Sequence, residues 1–338
     1  MATQLLDDMI QGHQVIQSLN VADLGPGEHK FWFRIATNAI SQWQHLPVLV
    51  FKGEKPGKKI MITAGVHGDE YNGVLAAQKT ARELIGTEVA GTVTIVPTIN
   101  MPGMLNHSRD FYSADPDASP ANLNRFFPGD QNGNEAQRYL YALWNDLLKP
   151  NADLAIDLHT QTSGAAYPLY VFADFRIEQS LEMARLINPD AILNDPGDAG
   201  VLETVWNNHG VPSITVEVGM GRYTEQKLIS RTVSGIFNVL KQHNVVEGEI
   251  EPITSCLEGN EIVSVKATHG GFVLPHVGLM DFVEQGQLVA IQYDSFGTEV
   301  ERYTAPTSGT VLSHNVESIR APGSLIVRLI KQTITVCR

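Results

Sequence analysis

Four residues of this chain have the types that hold a metal ion and move a proton beside it: His67, Glu70, His159 and Glu217. The first two lie in "GVHGDEYNG", residues 65–73, between the apolar run "KKIMITA" and the helical pattern "VLAAQKTARELIG". Turn chemistry alone accounts for much of that stretch, because glycine permits tight backbone geometry and a carboxylate suits the positive end of the following helix. A lone histidine after a strand is also commonly a hydrogen-bonded loop residue. Glu217 resists such an account: it interrupts the apolar run "SITVEV", and a buried carboxylate needs a partner or a shifted pKa. Together His67, Glu70 and His159 make a His₂Glu set, which suits a catalytic zinc with a fourth position kept for water. Zinc lowers the pKa of its water towards about 7, and Glu217 is then left as general base for attack on a carbonyl. Manganese, cobalt and iron accept the same mixed donors, with zinc the best fit. Asp157, in "DLHT", is expected on the opposite strand face and outside the ligand set.

For these residues to meet, strands must carry them to one rim. Strands are predicted at 46–51, 59–64, 92–99, 153–158, 168–173 and 213–218, with amphipathic helices between them up to about residue 245. This alternation predicts an α/β sheet covered on both faces, in which ligands gather beyond the carboxyl ends of strands. Residues 100–133 are rich in Asn, Pro, Gly, Asp and Ser, and a loop of that length inside a compact domain is commonly functional. It carries Arg109 and the run "NLNRFFPG" with Asn124 and Arg125. The planar fork of arginine suits carboxylates and polarised carbonyl oxygens, so this loop is expected to bind substrate. After residue 250 short β-rich runs follow one another closely, punctuated by Gly and Pro, and predict an all-β barrel or sandwich. The expected division is a catalytic domain over 1–248 and a β-rich domain over 249–338.

Composition narrows the partners. At 338 residues and 43% hydrophobic content, the chain has room for a large core and more than one domain. Its formal charge of −13, without a basic stripe, argues against nucleic acid. No apolar run approaches the roughly twenty residues that cross a bilayer, so no membrane is expected. The first residues, "MATQLLDDMIQGHQVIQSLN", lack the basic flank and apolar core of a secretory signal. Cys256 and Cys337 lie far apart and outside any CxxC, which predicts neither a disulfide framework nor a cysteine zinc site and favours a reducing cytoplasm. A homo-oligomer is left open.

In order, "GVHGDEYNG", "NLNRFFPG", "DLHT" and "ITVEVG" resemble the succinylglutamate desuccinylase/aspartoacylase family, related to the zinc carboxypeptidases of the M14 type. The resemblance implies an M14 carboxypeptidase-like mixed sheet flanked by helices. It implies an amidohydrolase with one zinc per chain that removes the acyl group from a small N-acyl amino acid. His67, Glu70 and His159 take the ligand positions and Glu217 that of the base. Arg109 matches the arginine that polarises the scissile carbonyl, and Asn124 with Arg125 the pair that grips the α-carboxylate. The layout of the C-terminal part is most similar to the branch holding the N-acetyl-diaminobutyrate deacetylases. One departure is that carboxypeptidases place a mobile tyrosine shortly before the base, whereas "DPGDAGVLETVWNNHGVPS" has none and Tyr167, Tyr170 and Tyr223 lie elsewhere. This weighs against the alternative of a metallocarboxypeptidase acting on short peptides. A non-catalytic binding protein is the remaining alternative. The stretch "VEQGQLVAIQYDSFG" with "APTSGTVL" also resembles a biotinyl/lipoyl-type sandwich, but "YDSFGTEVERY" has no lysine to carry a prosthetic group. A β domain packed beside the zinc site is expected instead. His269, His276 and His314 are expected to be loop or core histidines, and His107 is given no role.

Overall fold

The computed structural model describes residues 2–254 and 256–332. It opens with β1 (Gln4–Ile10), β2 (His13–Ser18) and β3 (Gly27–Thr37), then β4 (Trp43–Lys52) and β5 (Lys55–Ala64). The first three were not among the predicted strands. β1 is short and mostly exposed and β2, equally short, buries Val15 and Ile16, whereas β3 alternates cleanly, burying Phe31, Phe33 and Ile35, the period-two signature of a half-buried strand. Next come α1 (Tyr71–Leu84), β6 (Ala90–Val96), α2 (Met101–Leu105), α3 (Glu135–Leu143), β7 (Leu154–Gln161), β8 (Ala165–Ala166) and β9 (Leu169–Ala173). They are followed by α4 (Glu178–Leu186), β10 (Ala191–Asn194), α5 (Leu202–Asn208), β11 (Ser213–Met220) and α6 (Gln226–Gln242). The β-rich remainder holds β12 (Leu257–Lys266), β13 (Gly271–Pro275), β14 (Phe282–Val283), β15 (Leu288–Tyr293), β16 (Glu299–Thr304), β17 (Gly309–Asn315), β18 (Ile319–Arg320) and β19 (Leu325–Gln332).

One large mixed sheet runs in the order β1-β2-β3-β4-β6-β5-β7-β11-β9-β10-β12-β19-β17-β14. Its centre is parallel, β6, β5, β7 and β11 lying side by side, and β9 joins β11 antiparallel. Such strands are buried on both faces, and the residues alternate accordingly. Ile60, Ile62, Ile156 and Leu158 pack under α1, α4 and α6, whereas Met61 and Ala155 face α3 and α5 with Trp144 and Trp206. The expected mixed sheet flanked by helices is therefore present. α3 starts from a capping box in which Asn134 and Gln137 satisfy each other's backbone N–H.

The β-rich part adds a second sheet, β16-β15-β13-β18, around a core that includes Val273, Val289, Val311 and Leu329. Strand β12 pairs parallel with β10, so the main sheet continues directly into this part. Leu312 and Ile330 pack on Tyr167, Tyr170 and Ala191 of the central region. Residues 100–133 form α2, a single turn at Leu123–Arg125 and a bridge between Phe111 and Ala121, anchored by buried Phe111 and Leu123. Cys256 is buried, and Cys337 lies outside the described residues. Among the described residues, no helix is long and apolar enough to cross a membrane.

Candidate metal centre and active-site cavity

β5 ends at Ala64 and the chain turns through residues 65–70 into α1. Two glycines fix the approach. A Cβ on Gly68 would lie 2.2 Å from the backbone of Gly103, and one on Gly73 would lie 2.6 Å from the Leu158 carbonyl oxygen of β7. The turn and the first coil of α1 are thereby pressed against the strand that carries His159. Glu70 occupies the N-cap position of α1 yet makes no side-chain cap, because its carboxylate is used elsewhere. It accepts hydrogen bonds from the Thr160 backbone N–H (2.9 Å) and from Arg109 Nη1 (2.5 Å).

The predicted ligands converge. His67 Nδ1 lies 2.8 Å from Glu70 Oε1, and His159 Nδ1 lies 2.9 Å from Glu70 Oε2 and 3.2 Å from His67 Nδ1. All three residues are buried, and their donor atoms sit within 4.8 Å of one another. The far nitrogens are committed. His67 Nε2 donates to Asn122 Oδ1 (2.9 Å), an atom fixed as oxygen because it also accepts the Asn124 backbone N–H. His159 Nε2 donates to Asp157 Oδ2 (2.7 Å), whose other oxygen accepts from Thr63 Oγ1 (2.6 Å). Both Nδ1 atoms are thus turned inward against a carboxylate, at distances where acceptors repel unless a proton or a cation lies between them. A divalent ion answers all three donors at once, so the residues present fit the expected metal.

Asp157 requires a correction. It was expected on the opposite strand face, but residues two apart on a strand share a face, and β7 extends to Gln161 with His159 inside it. Asp157 therefore stands directly behind His159 as its hydrogen-bond partner. The "D-x-H" spacing was the signal for this arrangement.

Glu217 is the register partner of His159 across β11 and β7, so the two side chains emerge together. It is 6% exposed, and its Oε2 has no hydrogen-bond partner. Burial pushes its pKa up to about 8, tempered by His159. Burial acts on Glu70 in the same upward sense, but the two imidazoles outweigh it and hold this carboxyl well below its ordinary range. His159 responds oppositely: burial would lower it, and Asp157 with Glu70 raise it well above the usual imidazole value.

These groups open into a cavity of about 270 Å³ whose walls include Arg109, Asn124, Arg125, Glu203 and Arg328. Arg109, with 31% of its side chain exposed, reaches the rim through its bond to Glu70. Asn124 spends its Oδ1 on the Leu202 N–H at the start of α5 (2.8 Å), which leaves its Nδ2 as the donor side. Arg125 is exposed and donates from Nη1 to the Asn124 carbonyl (2.6 Å). Sequence reasoning missed Asn122, Glu203 and Arg328. Glu203 is 4% exposed and is raised well above the usual carboxylate range by burial, with Thr215 hydrogen-bonded to it and Asp195 adding like charge. It reads locally as a first-turn glutamate of α5, and nothing in its neighbours marks it as cavity-facing.

Strand-delivered histidines and carboxylates beside an arginine-bearing loop, on a mixed sheet flanked by helices, define a class of α/β protein with one polar cavity at the strand ends. The model of the succinylglutamate desuccinylase/aspartoacylase catalytic domain matches residues 56–243, and the chain belongs to that family. An N-alpha-acetyl-L-2,4-diaminobutyric acid deacetylase from Halomonas elongata is 31% identical over 293 residues, 79% of this chain and 80% of that protein. Solved structures share the fold. A succinylglutamate desuccinylase/aspartoacylase from Rhodobacter sphaeroides aligns with a TM-score of 0.80 and 22% identity, over 92% of this chain and 98% of that one. The product-bound ectoine utilization protein EutE from Ruegeria pomeroyi aligns with 0.78 and 23%, over 90% and 95%.

Proposed function

We propose that this chain is a zinc-dependent deacylase that hydrolyses the amide bond of a small N-acyl amino acid. The observation that carries this reading is the convergence of His67, Glu70 and His159 beside the unpartnered Oε2 of Glu217, in one cavity. Zinc held by those three residues would make a water molecule acidic enough to ionise near neutrality and would polarise the substrate carbonyl. Glu217 takes the proton of the attacking water and returns it to the leaving amine. Burial raises the Glu217 carboxyl in the metal-free protein, and a zinc ion beside it would favour the ionised form that accepts a proton. Arg109, fixed at the rim by Glu70, faces the negative charge that develops on the carbonyl oxygen. Asn124 Nδ2 and the Arg125 fork hold the α-carboxylate.

An N-acetylated diamino acid is the first candidate substrate. The Halomonas relative is named for N-alpha-acetyl-L-2,4-diaminobutyric acid, and Asp195 in the wall of this cavity offers a carboxylate to a side-chain ammonium. We take the β-rich residues 249–338 as a second domain that walls the cavity beside the zinc site. The test is amine release from N-acetyl, N-succinyl and N-formyl amino acids and short peptides, for zinc-loaded wild type and Glu217→Gln. Turnover of one acyl class that falls about 10²- to 10⁴-fold in the variant is expected. Cleavage of peptides alone would replace this reading with a carboxypeptidase, and turnover undiminished in Glu217→Gln would remove the base.

A further inference from the structure

Arg328 enters the cavity from β19, in the β-rich part of the chain. The other two arginines there each have a partner within the protein as well: Arg109 is ion-paired to Glu70, and Arg125 donates from Nη1 to the Asn124 carbonyl. Arg328 has no carboxylate within ion-pair distance among the described residues, and its Nε is buried without a hydrogen-bond partner. Its surroundings are similarly unsatisfied. Ser313, its register partner on β17, has a fully buried hydroxyl with no partner. Tyr170, the register partner of Glu217 on β9, is fully buried with its phenol oxygen likewise unpartnered. Glu217 and Arg328 are the strongest opposite charges acting on that phenol. Buried polar atoms left without partners are rare and costly, and several together mark a place where a bound group completes them. Of these groups Arg328 is the one that lines the cavity, and its guanidinium can donate to an oxyanion.

We infer that Arg328 is a substrate-binding residue supplied by the β-rich part, and that it takes a carboxylate of the substrate at the seam between Glu217 and β19. This rests on the deacylase reading above. The carboxylate has two sources, the free end of a dicarboxylic acyl group or the α-carboxylate of the amino acid, which Arg328 would then share with Asn124 and Arg125. Arginine suits either, because its fork gives two parallel, charge-assisted hydrogen bonds.

The experiment compares wild type, Arg328→Gln and Arg328→Lys on three substrates: an N-acetyl amino acid that wild type turns over, its carboxamide, and its N-succinyl counterpart. If Arg328 holds the α-carboxylate, Arg328→Gln lowers kcat/KM for the N-acetyl acid about 10- to 100-fold, mainly through KM, and leaves the carboxamide unchanged. If it holds the acyl carboxylate, the N-succinyl substrate alone suffers that loss. Arg328→Lys, which keeps the charge without the fork, falls between in either case and reports the same pattern should the glutamine variant not fold. An equal effect on all three substrates, or none, overturns the assignment while leaving the deacylase reading intact. If wild type turns over no N-acyl amino acid, the deacylase reading itself fails and the assignment falls with it.

Discussion

The inward Nδ1 atoms of His67 and His159 are set by residues that never touch the ion position, Asn122 and Asp157. Removing such an outer partner typically costs 10- to 100-fold in metal affinity. Asp157→Ala is therefore expected to weaken zinc binding by about that factor, read by competition with a chromophoric chelator, and unchanged affinity would show that Asp157 serves only the strand. The same cluster makes the metal-free protein sensitive to pH. Glu217 has a folded pKa raised from 4.5 to about 8, so between those values the folded state holds a proton that the unfolded state has released. Stability then declines as pH rises. His159, raised above 6.5, adds stability that is present below its unfolded value and lost as pH rises through its folded one, the same sign. Thermal melts of chelator-treated protein should fall from pH 6 to pH 8, with a shallower fall in Glu217→Gln. A flat profile would contradict the burial of these charges. At this scale the sequence was informative where a residue's type conflicted with its setting, as for Glu217 in an apolar strand. It was silent where the setting looked ordinary: Glu203 and Arg328 sit in patterns that any surface helix or strand could contain.

Among the elements, α1 and β7 decide whether Glu70 and His159 meet. Gly73 lets the helix lie on the strand, since a Cβ there would come within 2.6 Å of the Leu158 carbonyl oxygen. Gly73→Ala is expected to cost about 1–3 kcal/mol and to weaken zinc binding as well, because the clash displaces the turn that carries His67 and Glu70. A lowered melting temperature with unaltered zinc affinity would separate helix packing from the metal site. The central strands were legible because their runs are apolar and bounded by Gly, Pro or Asp. β10 was not, being only four residues long, too short for any periodicity to register. The loop over 100–133 was legible as a functional loop from its composition, whereas the use of Asn124 to cap α5 depends on a contact 78 residues away along the chain.

Over the whole molecule, the change of texture near residue 250 does not coincide with a break in the sheet, since β12 lies against β10 and passes the ladder on to β19. Removing residues 250–338 would uncover Tyr167, Tyr170 and Ala191, which pack against Leu312 and Ile330. Aggregation is therefore expected on expression, rather than a free catalytic unit with broadened selectivity, and a soluble, active truncation would contradict this. The strand order also has a consequence for synthesis. β19, the last strand described, is inserted between β12 and β17, so the main sheet cannot be completed until Leu325–Gln332 has been synthesised. Until then the nascent protein displays an aromatic face and an open ladder edge, which attract other chains. Its yield in a cell should depend on how long translation takes to pass from residue 250 to residue 332, and on what shields that edge meanwhile.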